Sequence, residues 1–511
     1  MPHHEPERPT GQRAPTGAAP GRARFVTGSL LRHVFVMAST GAIGLVAVFA
    51  VDLINLFYIS RLGEREIAAA IGFAGVVAFF HVSFAIGLVI GITAVVSRTI
   101  GAGRAAEARG LATSSLVLMA AICFVLGSGT MPFLQPILQG LGASGETERL
   151  AQRYLSITVH SLPLLGVGMA CSALLRSVGD ARAAMNVTLG SAIFTALLDP
   201  VFIFVLDLRL DGAAIVSLLA RGMLMGIGLY GVVVKHKMLG RFARARLASD
   251  ARRLGAVAAP AVLTNLATPV SAAFITHSIA QFGSAAVAGQ ATIDRVTPVA
   301  FGLIFALSGA IGPIFAQNLG AQEFGRVRET LRASLIFMVL AVGGAWLILA
   351  LTQGWIVVAF SAEGPAEQLI RAFCRWIAAG FFFVGALFVA NTAFNNLGRP
   401  LLSTGFNWAR ATLGTIPFAW YGSRYGPIGV LAGQMLGSAI FGSLALLFAF
   451  RLTSRLLKGV RPGDTLGAEM AELRLASLEQ GSGDEPLAFP LPHAPSAAAL
   501  APLVEADERR G

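Results

Sequence analysis

The sequence is poor in charge and in cysteine. Only 13% of its 511 residues are charged, about half the roughly 25% of an average soluble domain. Together with a hydrophobic content of 55%, this argues against a water-soluble enzyme and against a disordered chain. The cysteines are Cys123, Cys171 and Cys374. An odd number without CxxC spacing argues against a disulfide framework and against a zinc site.

Several sequence motifs that carry chemistry are also missing. The chain has no GxxxxGK[ST] phosphate loop, and the apolar runs contain no HExxH, GxGD or GxSxG motif. We therefore expect neither an ATP-driven machine nor an intramembrane enzyme, and no cofactor beyond a coupling ion. The net charge of +12 does not indicate nucleic-acid binding, because the basic residues stand between apolar runs rather than among aromatic residues.

Long apolar runs fill most of the chain and predict an all-α membrane protein. Each run can cross the roughly 30 Å hydrocarbon core of a bilayer as one helix. The twelve predicted transmembrane helices are 34–59, 67–97, 111–134, 151–175, 183–206, 212–234, 254–279, 286–316, 331–354, 368–396, 402–421 and 427–450.

The charges between these runs predict their orientation. The N-terminal segment, the loops that follow even-numbered spans and the start of the tail carry 25 basic residues, whereas the opposite loops carry 7. Basic residues collect on the cytoplasmic side of membrane proteins. We therefore predict a multi-pass protein of the cell inner membrane with both termini in the cytoplasm.

The two halves of the chain are similar in sequence, with an offset of about 220 residues. Gly101 in SRTIGAGRAAEARG corresponds to Gly320 in AQNLGAQEFGRVRE, and Gly179 in LLRSVGDARAAMN corresponds to Gly398 in FNNLGRPLLSTGF. An even number of helices per repeat predicts two parallel six-helix lobes with a cavity between them. The predicted organisation is an N-terminal segment (1–30), a first lobe (31–234), a connector (235–253), a second lobe (254–455) and a largely disordered cytoplasmic tail (456–511).

From about Gly28 to Arg455 the chain resembles the multidrug and toxic compound extrusion (MATE) transporters. The resemblance is carried by the stretch Val51–Gly72, the GAGR loop, ALLRSVGDARAAMN, LLDPVFIF with the following DGAAIVSLLA, and FNNLGRP. It implies two six-helix lobes that form a V, and export of amphipathic, often cationic small molecules against a proton or sodium gradient. We expect a monomer in the lipid bilayer.

Asp52 is the first ionisable residue inside a predicted span. A charge at mid-bilayer costs about 2.5–3.5 kcal/mol on insertion scales, and a carboxyl group in apolar surroundings can take up a proton at ordinary pH. Asp52 is therefore a candidate coupling residue, and the family resemblance implies the same role. The alternative is a structural acid that is hydrogen-bonded to Asn55, one helical turn away.

Asp199 is the second candidate, since it lies within span 5 and is followed by Pro200. A proline frees the backbone carbonyl four residues earlier, which predicts a proton or cation site in a kinked helix. The family usually has an asparagine where this chain has Thr195. The alternative is that Asp199 caps a helix end near the loop at Asp207.

The second half lacks acids at two places where several sodium-coupled relatives carry them. Spans 7 and 10 contain neither Asp nor Glu, which favours proton coupling through the first lobe over sodium coupling. In span 8, Asp294 and Arg295 are candidates for the substrate cleft. Alternatively, Asp294 pairs with Arg221 or Arg410.

Prolines interrupt the spans at four places that are candidate hinges or static kinks. They are Pro200, Pro260, Pro269 and Pro298. Within transport, the alternative function is a flippase for a lipid-linked substrate, which would favour an arginine-rich cleft for a diphosphate headgroup.

Overall fold

The computed structural model of the chain describes residues 23–61 and 65–457, and the regular structure of these residues is helical. Most of the predicted N-terminal segment (1–22) and almost all of the predicted tail (458–511) lie outside the described residues, as do residues 62–64. The all-α class predicted from the apolar runs is confirmed.

The first half contains eight α-helices, several of which are paired end to end within one span. A 3-10 turn at Met131–Phe133 joins α3 to α4, and single π-helical segments follow α7 (Val201–Val205) and α8 (Tyr230–Lys235). The helices are α1 (Leu30–Arg61), α2 (Arg65–Gly101), α3 (Ala105–Thr130), α4 (Leu134–Gly140), α5 (Gly145–His160), α6 (Leu162–Ser177), α7 (Ala181–Pro200) and α8 (Arg209–Leu229).

The second half contains nine α-helices with similar breaks. A 3-10 turn at Ile377–Gly380 leads into α14, and a π-helical segment at Arg410–Gly414 separates α15 from α16. The helices are α9 (Arg244–Ala280), α10 (Ser284–Ala300), α11 (Gly302–Gly320), α12 (Phe324–Ala359), α13 (Pro365–Arg375), α14 (Phe381–Asn396), α15 (Pro400–Ala409), α16 (Ile416–Gly422) and α17 (Gly426–Leu457).

Among the described residues, ten helical stretches are long and apolar enough to cross a membrane, or eleven if α5 and α6, bent by 48°, form one span. The last stretch, Pro400–Leu457, is 58 residues long. It folds back on itself as an antiparallel hairpin. A Cβ on Gly422 would lie 2.6 Å from the carbonyl carbon of Gly429, and a Cβ on Gly437 would lie 2.7 Å from Cα of Gly414. This stretch therefore holds both of the last two predicted spans.

One place where the two halves meet is the crossing of α2 and α11. A Cβ on Gly101 would lie 2.6 Å from Cα of Gln317, and a Cβ on Gly320 would lie 2.9 Å from the backbone nitrogen of Ala102. Such distances require glycine at both positions, since real Cβ atoms essentially never come closer than 3.0 Å. The glycines matched in the sequence repeat therefore form one crossing point, at which each lets the other helix approach.

Hydrogen bonds between the halves surround this crossing. Arg98 Nη2 donates to the carbonyl of Asn396 (2.9 Å), and Gln317 Nε2 donates to the carbonyl of Ser177 (2.7 Å). Arg98, Ser177, Gln317 and Asn396 all lie in the last turn of their helices. We call this end of the molecule, where the halves are joined by these four residues, the closed end.

Helix α9 begins at Arg244, ten residues before the predicted span at 254. The additional helical turns pack on α3 of the first half. Ser114 Oγ donates to Asp250 Oδ2 (2.6 Å), and Arg253 Nη1 donates to Glu107 Oε1 (2.8 Å). The basic residues of the predicted connector suggested a loop, but its second part is helical. The charge of Arg253 is balanced by Glu107 on the neighbouring helix, which is compatible with a helical turn.

Asp180 starts α7 and anchors it to the segment that follows α8. Its carboxylate accepts hydrogen bonds from the backbone N–H of Ala183 (2.9 Å) and from Lys235 Nζ (2.7 Å), and it lies 2.8 Å from His236 Nε2. Partial burial alone would raise the pKa of Asp180, but these hydrogen bonds outweigh it and lower the pKa to about 2. The residue therefore acts as an ionised helix cap.

Candidate coupling site and substrate cleft

Asp199 is buried at the end of α7 without a hydrogen-bond partner. Its side chain is 1% exposed, and neither carboxyl oxygen has a partner among the described residues. The helix continues past it through Pro200 and a π-helical segment, so the alternative that Asp199 caps a helix end is wrong. Because an ionised carboxylate is costly to bury unpaired, this group is suited to hold a proton or a cation.

Asp52 lies beside Asp199 on the neighbouring helix. Helices α1 and α7 run side by side, with Gly44 against Thr188 and the Tyr58 ring edge-on to Phe204 at 5.8 Å. These two contacts bracket Asp52 and Asp199 and place them at a similar depth.

The two acids differ in exposure. Asp52 is exposed, as are its neighbours Leu53 (36%) and Ile54 (40%), whereas Asp199 is buried. Asn55 Oδ1 is buried and has no partner among the described residues. A bond to the Asp52 carboxylate would come from Asn55 Nδ2, so the alternative of a structural Asp52–Asn55 hydrogen bond stays a prediction. The site therefore has an accessible carboxyl group, a buried one and an unpaired amide oxygen.

Thr195 does not form a hydrogen bond with Asp199. Its hydroxyl donates to the carbonyl of Ser191 one turn earlier (3.0 Å). The π-helical segment Val201–Val205 directly follows Pro200, as expected where a proline disturbs the hydrogen-bond ladder. A widened turn next to a buried acid is a frequent feature of functional sites in helices.

On α10 of the second half, Asp294 and Arg295 are both exposed. Asp294 Oδ1 accepts a hydrogen bond from Gln290 Nε2 (2.8 Å) in its own helix. The alternative pairing of Asp294 with Arg221 is wrong, because Arg221 donates to the carbonyl of Thr158 (2.6 Å) and to Ser161 Oγ (2.7 Å) in the first half. For Arg410, Nε is buried without a partner among the described residues.

The prolines of the second half sit in different surroundings. Helix α9 runs unbroken through Pro260 and Pro269, whereas α10 ends two residues after Pro298. The carbonyl of Pro260 accepts hydrogen bonds from Thr264 and from Thr404 of α15 (both 2.8 Å). These bonds fix α9 to α15 at Pro260, and the role of the prolines as hinges stays a prediction.

Sequence reasoning missed Arg176, because it counted this residue among the loop charges. The structure places Arg176 in the last turn of α6, with Nη1 donating to Ser172 Oγ (3.0 Å) and Nε buried without a partner among the described residues. Its Nε is also the only atom within 4 Å of a Cβ placed on Gly309 of the other half, and Gly309 is exposed. Arg176 therefore borders the space between the halves. Its proximity to the glycine turn at Gly179 was the only signal in the sequence.

The protein-family model described as MatE matches this chain twice, at residues 42–201 and 260–421. The two matches together cover more than half of the chain, and they confirm the internal repeat.

Relatives match this chain over most of their own length. The FAD transporter of Shewanella oneidensis is 29% identical over 84% of this chain and 96% of its own length. The multidrug export protein MepA of Staphylococcus haemolyticus is 22% identical over 79% of this chain and 90% of its own. Among solved structures, the MATE transporter VcmN of Vibrio cholerae in its bent form superposes with a TM-score of 0.78 at 24% identity, covering 84% of this chain and 98% of that one. The chain belongs to the MatE family, the multidrug and toxic compound extrusion transporters, whose members are membrane transporters and not enzymes.

Proposed function

We propose that this protein is a secondary antiporter of the cytoplasmic membrane that exports amphipathic, cationic compounds in exchange for protons. It acts as a monomer by alternating access. The observation that carries the proposal is the buried, unpaired carboxyl group of Asp199 next to the accessible carboxyl group of Asp52.

The pairing of these acids supports a proton as the coupling ion. When both are ionised they repel each other, and a proton on either removes the repulsion. Spans 7 and 10 of the second half contain no acid, so the second lobe offers no carboxylate there for sodium. Sodium coupling is the alternative within the same fold.

The distribution of charge supports the direction of transport. The predicted cytoplasmic side carries 25 basic residues in the N-terminal segment, the loops after even-numbered spans and the start of the tail, and it coincides with the closed end. Asp52 lies nearer the opposite end of α1, so in this state it is on the side that faces away from the cytoplasm. Protons enter from outside onto Asp52 and Asp199, α1 changes shape near them, and the substrate leaves.

The cycle then returns through a state that is open to the cytoplasm. The protons dissociate inward, the ionised carboxylates attract a cationic substrate, and the halves close behind it. Each elementary charge that crosses a potential of 100 mV releases about 2.3 kcal/mol, and the pH gradient adds to this.

The decisive experiment is substrate-driven proton movement in proteoliposomes that contain a fluorescent cation, with and without sodium. Asp52→Asn and Asp199→Asn should each abolish proton-coupled export while the protein still inserts. Asp207→Asn is the matched control, because Asp207 follows the π-helical segment after Asp199 and its side chain is 77% exposed. Normal export by both Asp52→Asn and Asp199→Asn would refute the mechanism. Export that requires sodium would show that sodium, and not the proton, is the coupling ion.

A second candidate substrate class is an anionic dinucleotide. One relative is named a FAD transporter, and Arg176 borders the space between the halves without a carboxylate bound to it among the described residues. An arginine can bind a phosphate with two hydrogen bonds. If FAD is a substrate, Arg176→Gln should reduce FAD export at least tenfold and leave export of a cation unchanged. Equal loss of both substrates would assign Arg176 a structural role.

A further inference from the structure

The short segment that precedes α1, residues 23–29, lies between the two halves at the closed end. Phe25 in this segment is 1% exposed and is among the largest fully buried side chains. Burial of a phenylalanine outside any helix requires neighbours on several sides. These neighbours come from both halves.

On the side of the second half, the backbone of Phe25 is fully hydrogen-bonded. Its N–H donates to Gln317 Oε1 (2.9 Å), and its carbonyl accepts from Asn318 Nδ2 (3.3 Å) and from Arg326 Nη2 (2.9 Å). Arg326 also donates to the carbonyl of Gly28 (3.0 Å). The segment is thus fixed to the end of α11 and the start of α12.

On the side of the first half, the segment rests on Gly179. Arg24 Nη1 donates to the Gly179 carbonyl (2.9 Å), and a Cβ on Gly179 would lie 2.7 Å from Arg24 Cδ and 3.2 Å from Phe25 Cζ. The positive φ of Gly179 (+79°) already favours glycine at this turn. Its missing side chain leaves the space that the segment occupies.

Gln317 connects all three parts through one amide group. Its oxygen accepts from the Phe25 N–H, and its nitrogen donates to the Ser177 carbonyl of the first half (2.7 Å). Separation of α6 from α11 would break the bond to Ser177. It would also detach the segment either from Gly179 or from Gln317, and it would expose Phe25.

We propose that residues 24–28 form a latch that holds the closed end shut by bridging the two halves. Both sides of the bridge can be bound only while the halves are together, so the latch stabilises this state over the state that is open at this end. Its strength sets the ratio of the two populations. The proposal needs two alternating states, but it does not depend on the coupling ion or on the substrate.

The test measures the opening of the closed end directly. Spin labels are attached through Arg182→Cys and Glu329→Cys, two exposed positions near the closed end on opposite halves, and their distance distribution is recorded by double electron–electron resonance in nanodiscs. The three native cysteines are buried, so labelling is directed to the new sites. No substrate and no proton gradient are needed, so failure of the latch and failure of the proposed function are distinguishable.

Phe25→Ala should lower the ratio of the closed to the open population at least tenfold, and deletion of residues 2–28 should do the same. Deletion of residues 2–22 is the matched control, because it leaves the latch in place. Circular dichroism and gel filtration check that each variant is folded. If Phe25→Ala does not fold, Arg24→Ala is a milder second variant for the same measurement. An unchanged distance distribution in folded Phe25→Ala, or an equal shift after deletion of residues 2–22, would overturn the proposal.

Discussion

The crossing of α2 and α11 makes a quantitative prediction for Gly101→Ala. The new Cβ would lie 2.6 Å from Cα of Gln317, whereas ordinary contacts of a Cβ begin near 3.4 Å. The carbonyl oxygen of Gln317 lies closer still, so the two helices must move apart by at least about 0.8 Å at the closed end. Overpacking of this kind costs about 1–3 kcal/mol. In the proposed alternating-access cycle the helices separate in the other state, so only the state with the closed end shut bears this cost.

The corresponding shift in population is about 5- to 150-fold toward the state that is open at this end. The higher helix propensity of alanine, worth roughly 0.5–1 kcal/mol, acts on both states and cancels in their ratio. The same spin-label distance measures the shift, and the rate of substrate export should fall with it. Gly325→Ala is the matched control, because a Cβ there meets no atom within 4 Å.

A double variant tests whether the two glycines form one crossing. A single displacement of the helices relieves both Gly101→Ala and Gly320→Ala, so their effects should be clearly less than additive. Distance distributions of Gly101→Ala and Gly320→Ala that match that of Gly325→Ala would refute the reasoning. So would full additivity in the double variant.

Two further predictions concern stability. In Gly437→Ala the new Cβ would lie 2.7 Å from Cα of Gly414 in the adjacent antiparallel helix. We therefore expect a loss of stability of about 1–3 kcal/mol, measured as a lower melting temperature in detergent. Gly405→Ala, where a Cβ meets nothing within 4 Å, should melt like the parent, and equal melting temperatures of the two variants would contradict the packing argument. Asp180→Ala removes the cap of α7 and should cost about 1 kcal/mol. Because the folded pKa of Asp180 is about 2 and its unfolded pKa is about 3.9, its contribution is present above pH 4 and is lost as the pH falls from 4 to 2. The difference in melting temperature between parent and variant should vanish over that interval, and a constant difference down to pH 2 would show that the carboxylate charge is not involved.

Much of the architecture could be predicted from the sequence, because hydrophobic runs report directly on contact with lipid. All twelve predicted spans correspond to helices. The last two lie in one stretch of consecutive helical segments, Pro400–Leu457, which turns back on itself at Gly426. The repeat was visible because glycine at a tight crossing or a left-handed turn has no substitute. Gly179 and Gly398, matched in the sequence, have φ of +79° and +78°.

The contacts between the halves could not be predicted, because they join residues far apart in the chain. Phe25 and Gln317 are 292 positions apart, and no local pattern records that they meet. Arg98 and Arg176 looked like loop charges because arginines that flank spans usually reach the headgroups. The bond from Arg98 to Asn396 joins helix ends that only the folded molecule brings together, and the position of Arg176 beside Gly309 of the other half likewise leaves no local pattern.

In the proposed proton antiport, the two carboxyl groups of Asp52 and Asp199 limit the energy that the membrane potential supplies in each cycle. Two carboxyl groups can carry at most two protons per cycle. Two charges that cross 100 mV release about 4.6 kcal/mol, which for an uncharged substrate corresponds to a concentration ratio on the order of a thousandfold. A monovalent cation that leaves against the same potential reduces the net transfer to one charge and the ratio to about fiftyfold. The steady-state gradient of a given compound therefore depends on its charge as much as on its affinity, and a protein of this design is a better exporter of neutral compounds than of polyvalent cations.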